Sequence, residues 1–165
     1  MAHPYYIHPT SDVQTVSIGA GTTIWQFCVV LKDAVIGSNA NICSHCFIEN
    51  AVRIGNNVTI KNGVCLFDGI TLEDHVFIGP NATFTNDKFP RSKDYSGPFG
   101  VTLVRNGASI GGGAVILPGI TIGAGAMIGA GAVVTKNVPD GAVVYGTAAT
   151  LRHFIGPLHA GHNRS

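Results

Sequence analysis

Hydrophobic residues recur at every sixth position over a long stretch of this chain. All twelve positions of this series are apolar, and the residue two places before each is small or β-branched. The series is Ile18, Ile24, Val30, Ile36, Ile42, Ile48, Ile54, Ile60, Leu66, Leu72, Ile78 and Phe84. A period of six fits neither an α-helix nor a single strand, but it is typical of a solenoid β-helix. The pattern predicts an all-β column in which each hexad forms one side of a triangular coil.

The remainder of the chain fits one domain over residues 1–165. The hexad frame returns with Val104 and continues to about residue 138, after an insertion placed at about 86–101 that has no hexad phase. A long loop in a compact domain is usually functional or disordered. Residues 1–15 precede the frame and are expected to lead into the first coil or cover it. Residues 147–165 are expected to cap the other end, with weak helical character at their start.

Composition narrows the possible partners. The formal charge is +1 and charged residues make up 12% of the chain, which gives no reason to expect a nucleic acid or an anionic membrane surface. The apolar positions are too evenly interrupted for a membrane span, and the N-terminus lacks the pattern of a signal peptide. We therefore expect a soluble, cytoplasmic protein.

Two of the four cysteines have a spacing that is found in zinc-binding and redox-active sites. Cys43 and Cys46 form a CxxC pattern, which elsewhere indicates zinc or redox chemistry. The hexad frame instead places Cys28 and Cys46 at the same inward position one coil apart, where cysteine acts as a small apolar filler. We expect neither a metal nor a disulfide here.

Stacking of coils allows positions to be compared in space, because residues eighteen apart should lie above one another. Two neighbouring outward ladders end where the long loop leaves the column. They are Lys32, Asn50, Asp68 and Asn86, and beside them Leu31, Glu49, Phe67 and Thr85. The sequence therefore predicts a site at this corner, formed by Glu49, Asn50, Asp68, Asn86 and the loop.

The residue types at this corner suit an amine and a phosphate. Asp68 and Asn86 can together orient a substrate amine, by charge and by an amide oxygen. Arg91 and Lys93 in the loop can bind phosphate, and Tyr95 can stack on a base. The alternative is that Asn and Asp are present because corners tolerate left-handed backbone, and that the loop is merely solvated.

The last coils are rich in glycine and alanine and predict a smooth wall for a thin ligand. The residues assigned to this ligand are Gly113, Gly125, Ala126 and Gly131, with Lys136 and Arg152 as phosphate contacts. Ordinary coil turns are the alternative explanation. His45 and His75 are the other candidate general bases, but at thirty residues apart they should lie on different corners and cannot act as a pair within one subunit.

Three segments carry a resemblance to a known family. The solenoid with its mid-chain loop resembles the hexapeptide-repeat acyltransferases. ICSHCFIEN (42–50), GITLEDHVFIGPNATFTND (69–87) and FPRSK (89–93) look like the N-acetyltransferases of nucleotide-linked 3-amino sugars. Those enzymes make 3-acetamido-3,6-dideoxyhexoses for surface polysaccharides such as lipopolysaccharide or S-layer glycans. The resemblance implies a left-handed parallel β-helix, a homotrimer, and acetyl-CoA bound between subunits.

The resemblance also implies roles for particular residues. It places Asn86 near the reactive amine of a dTDP-linked 3-amino-3,6-dideoxyhexose, with Asp68 beside it and Arg91 in the matching loop. The C-terminal turn GTAAT (146–150) lacks the Pro and Lys usual in the superfamily, so Arg152 is expected to substitute as a phosphate contact. Asp68 or the departing thiolate would take the amine proton.

Other functions remain open at the level of sequence. A γ-type carbonic anhydrase shares the fold but needs three histidine ligands, which His45 and His75 do not supply. A non-catalytic β-helix scaffold would need neither the polar corner nor the loop. Within the acyltransferases, another small amine or hydroxyl acceptor is a further alternative.

Overall fold

The chain folds into a three-sided column of short β-strands, a left-handed parallel β-helix as expected. The structure is a computed structural model that describes residues 4–94 and 98–154. Sheet 1 contains β1 (Tyr6–Ile7), β3 (Thr23–Ile24), β6 (Asn41–Ile42), β9 (Thr59–Ile60), β12 (Phe77–Ile78), β15 (Ser109–Ile110), β18 (Met127–Ile128), β20 (Ala142–Tyr145) and β21 (Thr150–Phe154). Sheet 2 contains β2 (Asp12–Val13), β4 (Val29–Val30), β7 (Phe47–Ile48), β10 (Cys65–Leu66), β13 (Thr83–Phe84), β16 (Val115–Ile116) and β19 (Val133–Val134). Sheet 3 contains β5 (Val35–Ile36), β8 (Arg53–Ile54), β11 (Ile70–Leu72), β14 (Thr102–Val104) and β17 (Thr121–Ile122).

The hexad positions form the core of this column. Ile24 pairs with Ile42, and Ile42 with Ile60, so each coil places the same residue directly above the last. All three side chains are fully buried. Burial of such a side chain stabilises the fold by about 1.5–3 kcal/mol. Ile18 is the exception, because it lies near the open end of the column and is only partly buried.

Three edges join the sheets, and their turns alternate in a fixed order. Edge 1–2 connects sheet 1 to sheet 2 and includes residues 25–28, 43–46, 61–64, 79–82, 111–114 and 129–132. Edge 2–3 includes residues 31–34, 49–52, 67–69, 85–101, 117–120 and 135–137. Edge 3–1 includes residues 37–40, 55–58, 73–76, 105–108 and 123–126. Every surface residue can be assigned to one of these edges or to the outer face of one sheet.

Carboxylate and amide side chains hold successive turns together along edge 3–1. Asp74 Oδ1 accepts the backbone N–H of Asn56 at 2.6 Å, and Asn56 Oδ1 accepts the N–H of Ser38 at 2.8 Å. The backbone and side-chain hydrogen bonds from Asn56 lower the pKa of Asp74. These contacts satisfy turn N–H groups that the strands leave unpaired, so acidic residues on this edge have a structural role.

The predicted loop is present and leaves the column without disturbing it. It occupies residues 85–101, between β13 and β14. Phe77 pairs with Ser109, so the insertion adds fourteen residues to the usual spacing of eighteen. The Gly100 N–H donates to the Asn86 carbonyl at 2.8 Å, and the Thr102 N–H donates to the Gly69 carbonyl at 3.0 Å. The loop is thus closed at its base and the stacking resumes directly above it.

Both ends of the column differ from expectation. The lead-in segment already belongs to the solenoid, because β1 and β2 pair with β3 and β4. The predicted helical character after residue 147 is wrong, because β21 is a strand that pairs antiparallel with β20. Residues 155–165 of the expected cap lie outside the described residues. No helix in the described part of the chain is long and apolar enough to cross a membrane.

Candidate functional site

The ladder on edge 2–3 forms as the hexad spacing predicts. Asn50 Oδ1 accepts the N–H of Asp33 at 3.3 Å, and Asp68 Oδ1 accepts the N–H of Ala51 at 2.7 Å. Asn86 continues the ladder, since its Nδ2 group donates to the Asp68 carbonyl at 3.4 Å. These bonds show that the polar residues of this edge do cap turns, as the structural alternative required.

Asp68 nevertheless has one carboxylate oxygen to which no other described residue donates a hydrogen bond. Its backbone N–H donates to Glu49 Oε2 at 2.7 Å, and its Oδ1 is engaged by Ala51. No hydrogen bond among the described residues reaches Asp68 Oδ2 or Asn86 Oδ1. Both side chains are partly buried. The edge therefore presents two fixed oxygen acceptors, one of them charged, at the base of the loop.

The loop that leaves this edge carries three cations. Lys88, Arg91 and Lys93 are all exposed. Arg91 Nη1 donates to the Pro90 carbonyl at 2.9 Å, and Lys93 has a left-handed backbone with φ of 62°. The loop can thus present positive charge to an anionic substrate. Tyr95, the predicted stacking residue, lies outside the described residues.

Asp87 is a candidate that the sequence analysis did not select. It follows Asn86 directly and is partly buried. Its Oδ1 accepts the N–H of Phe89 at 2.8 Å and so shapes the start of the loop. The signal for it was present in the polar triplet Thr-Asn-Asp, but the hexad ladders include only Thr85 and Asn86. Asp87 adds a third carboxylate to the corner, beside Glu49 and Asp68.

Two of the residues assigned to the acyl donor lie on edge 1–2. Gly113 and Gly131 occupy the same turn position one coil apart, and the Gly131 N–H donates to the Gly112 carbonyl at 2.9 Å. A Cβ atom added at either glycine would meet no described atom beyond its chain neighbours within 4 Å. Arg152 belongs to β21 of sheet 1, and its guanidinium lies 4.7 Å from the centre of the Tyr145 ring, which packs above Gly129 of this edge. The two glycines form a smooth strip, here called the glycine strip, with this cation beyond its end.

The prediction that the whole glycine-rich stretch forms one wall is wrong. Eighteen residues make a full coil, so this stretch passes over all three edges. Gly125 lies on edge 3–1, and the Ala126 side chain points into the core with 1% exposure. Lys136 lies on edge 2–3 and is exposed. Gly125 and Ala126 are therefore not brought together with the glycine strip.

The two candidate histidines lie apart, and Cys28 and Cys46 stack on adjacent coils, as the hexad frame predicts. His45 lies on edge 1–2 and His75 on edge 3–1, so they do not form a pair within one subunit. Cys28 and Cys46 are buried, and their thiols donate to the carbonyls of Cys43 and Lys61. Over residues 4–94 and 98–154, no three His, Cys, Asp or Glu side chains are grouped so that they could hold a metal ion.

Comparison with known proteins identifies the family. A family model described as bacterial transferase hexapeptide (six repeats) matches residues 15–50 and 102–136. The dTDP-3-amino-3,6-dideoxy-alpha-D-galactopyranose 3-N-acetyltransferase of Aneurinibacillus thermoaerophilus is 53% identical over 150 residues, which is 91% of this chain and 78% of that protein. The chain belongs to the hexapeptide-repeat acyltransferases. The similarity inferred from the three sequence segments is thereby confirmed.

Solved structures of other hexapeptide-repeat acyltransferases share the column. An acetyltransferase of Vibrio cholerae O1 biovar eltor, complexed with acetyl coenzyme A, has 30% identity and a TM-score of 0.62, covering 72% of this chain and 69% of that one. A mutant perosamine N-acetyltransferase of Caulobacter crescentus, in complex with CoA and GDP-perosamine, has 21% identity and a TM-score of 0.57. The match covers 91% of this chain but only 54% of the Caulobacter structure, so this chain spans little more than half the length of the Caulobacter protein. The likeness to the Caulobacter protein shows the shared fold.

Proposed function

We propose that this acyltransferase transfers an acetyl group from acetyl-CoA to the 3-amino group of a dTDP-linked 3-amino-3,6-dideoxyhexose. The observation that carries this proposal is the 53% identity, over nearly the whole chain, to a relative named for that reaction. The free acceptors of Asp68 and Asn86 beneath a cationic loop support it, because an amino sugar linked to a diphosphate needs both. Cytoplasmic placement would give such an enzyme access to acetyl-CoA.

The two acceptors suit the reacting amine. In this proposal the sugar ammonium lies against Asp68 Oδ2 and Asn86 Oδ1, and Asp68 accepts one proton so that the amine becomes nucleophilic. The nitrogen then attacks the thioester carbonyl, the carbon–sulfur bond breaks, and the second proton passes to the departing thiolate. Holding the reactants together supplies much of the rate, and a turn N–H can stabilise the developing oxyanion.

The residues of edge 1–2 fit the acyl donor. Gly113 and Gly131 leave the backbone open to a long, thin molecule, and Arg152 provides a cation for its phosphates. Acetyl-CoA supplies the activated acetyl group. Lys136 is a second phosphate contact in this proposal, but on edge 2–3. The donor and acceptor residues therefore lie on two different edges of one protomer.

The outer face of sheet 2 supports a homotrimer that joins these edges. Its outward residues are mostly apolar, whereas those of sheet 3 include Arg53, Thr71 and Thr121. The sheet 2 series is Asp12, Val29, Phe47, Cys65, Thr83, Val115 and Val133, so its one charged member lies at the N-terminal end. An apolar face of this kind usually marks an interface, and a closed ring is the common form of a homo-oligomer.

A ring that packs through sheet 2 would also complete the active site. Edges 1–2 and 2–3 border this sheet on either side. In a cyclic trimer, the glycine strip of one protomer would lie beside the Asn86 corner of the next. Sedimentation equilibrium is expected to give the mass of a trimer, and a fully active monomer would contradict this assembly.

The activity is tested by consumption of acetyl-CoA over a panel of nucleotide-linked 3- and 4-amino sugars. We expect turnover with dTDP-linked 3-amino-3,6-dideoxyhexoses and much less with 4-amino sugars or with free amino acids. Turnover with another amine or hydroxyl acceptor alone would identify a different acyltransferase. If the protein neither binds CoA nor consumes acetyl-CoA, the proposal fails and a scaffold role is favoured.

Asn86→Ala tests the position of the amine. The substitution removes a free acceptor and a weak bond to the Asp68 carbonyl, but no buried apolar contact. We expect kcat/KM for the amino sugar to fall at least tenfold, or roughly 1.4 kcal/mol, with thermal stability and oligomeric state unchanged. Steady-state kinetics with both substrates measure this, and unchanged kinetics would remove Asn86 from the site.

A further inference from the structure

Two exposed aromatic side chains on edge 1–2 occupy positions that the backbone disfavours for them. Phe27 has φ of 59° and His45 has φ of 62°, both in the left-handed region. In the coils above, the equivalent turn position is occupied by Gly63, Asn81, Gly113 and Gly131. Left-handed backbone costs bulky side chains roughly 1–2 kcal/mol, whereas Gly and Asn adopt it readily. Phe27 therefore departs from the residue types that such turns otherwise use, whereas His75 on edge 3–1, with φ of 60°, shows that the fold accepts histidine in this conformation.

Burial does not account for this departure. Phe27 is 55% exposed and His45 is also exposed. Their rings lie one above the other, with centroids 5.1 Å apart and planes inclined by 46°. A strained position retained by an exposed ring is a common feature of binding sites. The pair, here called the aromatic shelf, offers two exposed, mutually tilted rings on which a planar ligand can stack.

Polar groups surround the aromatic shelf on the next coil. Asn62 Nδ2 donates to Ser44 Oγ at 2.7 Å, which fixes both side chains beside His45. Lys61 begins the turn one coil above, where its carbonyl accepts the Cys46 thiol at 3.3 Å. Its ammonium opposes the rise that burial causes in the pKa of the Cys43 thiol. Exposed aromatic rings with an adjacent cation suit a base attached to a phosphate.

We propose that the aromatic shelf binds the nucleobase of the nucleotide-linked sugar, with Lys61 beside the diphosphate. This inference rests on the proposed function, because the ring of protomers would place edge 1–2 of one beside the loop of the next. Asn81, at the level of Asn86, lies two coils above His45 and three above Phe27. At the usual strand spacing this is about 10–14 Å, a span suited to the sugar, diphosphate and nucleoside in extended form.

The test is the substitution Phe27→Asn, which restores a residue the turn prefers. Base stacking on an aromatic ring contributes enough affinity that its loss should raise KM for the amino sugar, and Kd for dTDP alone, about tenfold. We expect kcat and KM for acetyl-CoA to stay within about twofold, and the thermal midpoint to be unchanged or higher. A purely structural ring pair would give the reverse, with a lower midpoint and normal KM.

Phe77→Thr is the matched control. Phe77 is another exposed phenylalanine, but it lies on the outer face of sheet 1, and Thr59 occupies the same position one coil below. Its removal should leave both KM values unchanged. Trp25 is the chain's single tryptophan and is 41% exposed, two residues before Phe27. Quenching of its fluorescence by dTDP or by CoA therefore reports binding without turnover.

These measurements separate the two proposals. If the wild-type protein does not acetylate any amino sugar, the proposed function fails, and dTDP titration still decides whether the aromatic shelf binds a nucleotide. If the wild type is active but Phe27→Asn keeps a normal KM and a normal Kd for dTDP, the shelf assignment is overturned. A rise in KM for acetyl-CoA alone would assign the shelf to the adenine of CoA and also overturn the proposal.

Discussion

Replacing Asp68 by asparagine is expected to lower kcat about hundredfold while leaving the column intact. The carboxylate oxygen Oδ2 is the proposed acceptor of the amine proton, and removal of such a group usually costs at least this factor. An amide oxygen can still accept the Ala51 N–H that Asp68 Oδ1 now accepts at 2.7 Å. Kinetics at saturating substrate should show the loss, and thermal denaturation should show no change.

Asp68→Ala is the comparison that separates chemistry from structure. Alanine removes both the proton acceptor and the turn contact, so it should lose activity like Asp68→Asn and also lose roughly 1 kcal/mol of stability. If Asp68→Asn retains wild-type kcat, Asp68 is only a turn cap and the departing thiolate must take the amine proton. If Asp68→Asn loses as much stability as Asp68→Ala, its loss of activity can no longer be attributed to the proton transfer alone.

Gly79→Ala is expected to destabilise the column by about 1–3 kcal/mol. Gly79 is buried on edge 1–2, and a Cβ there would lie 2.5 Å from the Gly112 nitrogen and 2.8 Å from the Ile110 oxygen. Both atoms belong to the backbone of the next coil, so they cannot move aside as a side chain could. Adjacent coils must separate, which lengthens the Gly79 N–H to Ile110 carbonyl bond of 2.7 Å. The midpoint of thermal unfolding at fixed protein concentration measures the loss.

Gly112→Ala on the same edge is the matched control. Its Cβ would approach nothing closer than 3.2 Å, at Pro80. A shift of a few tenths of an ångström accommodates it, so we expect less than half the loss seen for Gly79→Ala. Equal losses in the two variants would show that the space between coils does not determine the effect.

The hexad pattern predicts the column and the polar corner because both depend on one repeating distance. A fixed period of eighteen residues places Asn50, Asp68 and Asn86 above one another, and the structure confirms that ladder. The loop bounds follow from the loss and return of the same period. A solenoid is thus unusually open to prediction, since contacts run only between neighbouring coils.

The predictions fail where the six-residue period changes, or where a continuous stretch of sequence was assumed to form one continuous surface. Tyr6 pairs with Thr23 and Asp12 with Val29, one residue short of the regular spacing, so counting by six does not reveal the first strands. The β21 strand forms because the edge of β20 offers unpaired hydrogen-bonding groups, which outweigh the local preference of an Ala- and Leu-containing segment.

The glycine wall was predicted wrongly, and the aromatic shelf was not predicted at all, for a related reason. Gly113 and Gly125 are twelve residues apart, which is two sides of the triangle and hence a different edge. Phe27 and His45 are eighteen apart and stack, but their positive φ values become informative only once the backbone is known. Sequence spacing gives neighbours along the column, whereas the proposed active site also needs neighbours across protomers.

The single hydrogen bond between the Asn86 carbonyl and the Gly100 N–H has an evolutionary consequence. This bond fixes both ends of the loop to the column, whose strands pair normally above and below it. The loop is therefore a unit that can be exchanged. Exchange of this one segment between paralogues could change which acceptor is modified without any compensating mutation in the core. New specificities would then arise by recombination at residues 86 and 100 more readily than by gradual change in the strands.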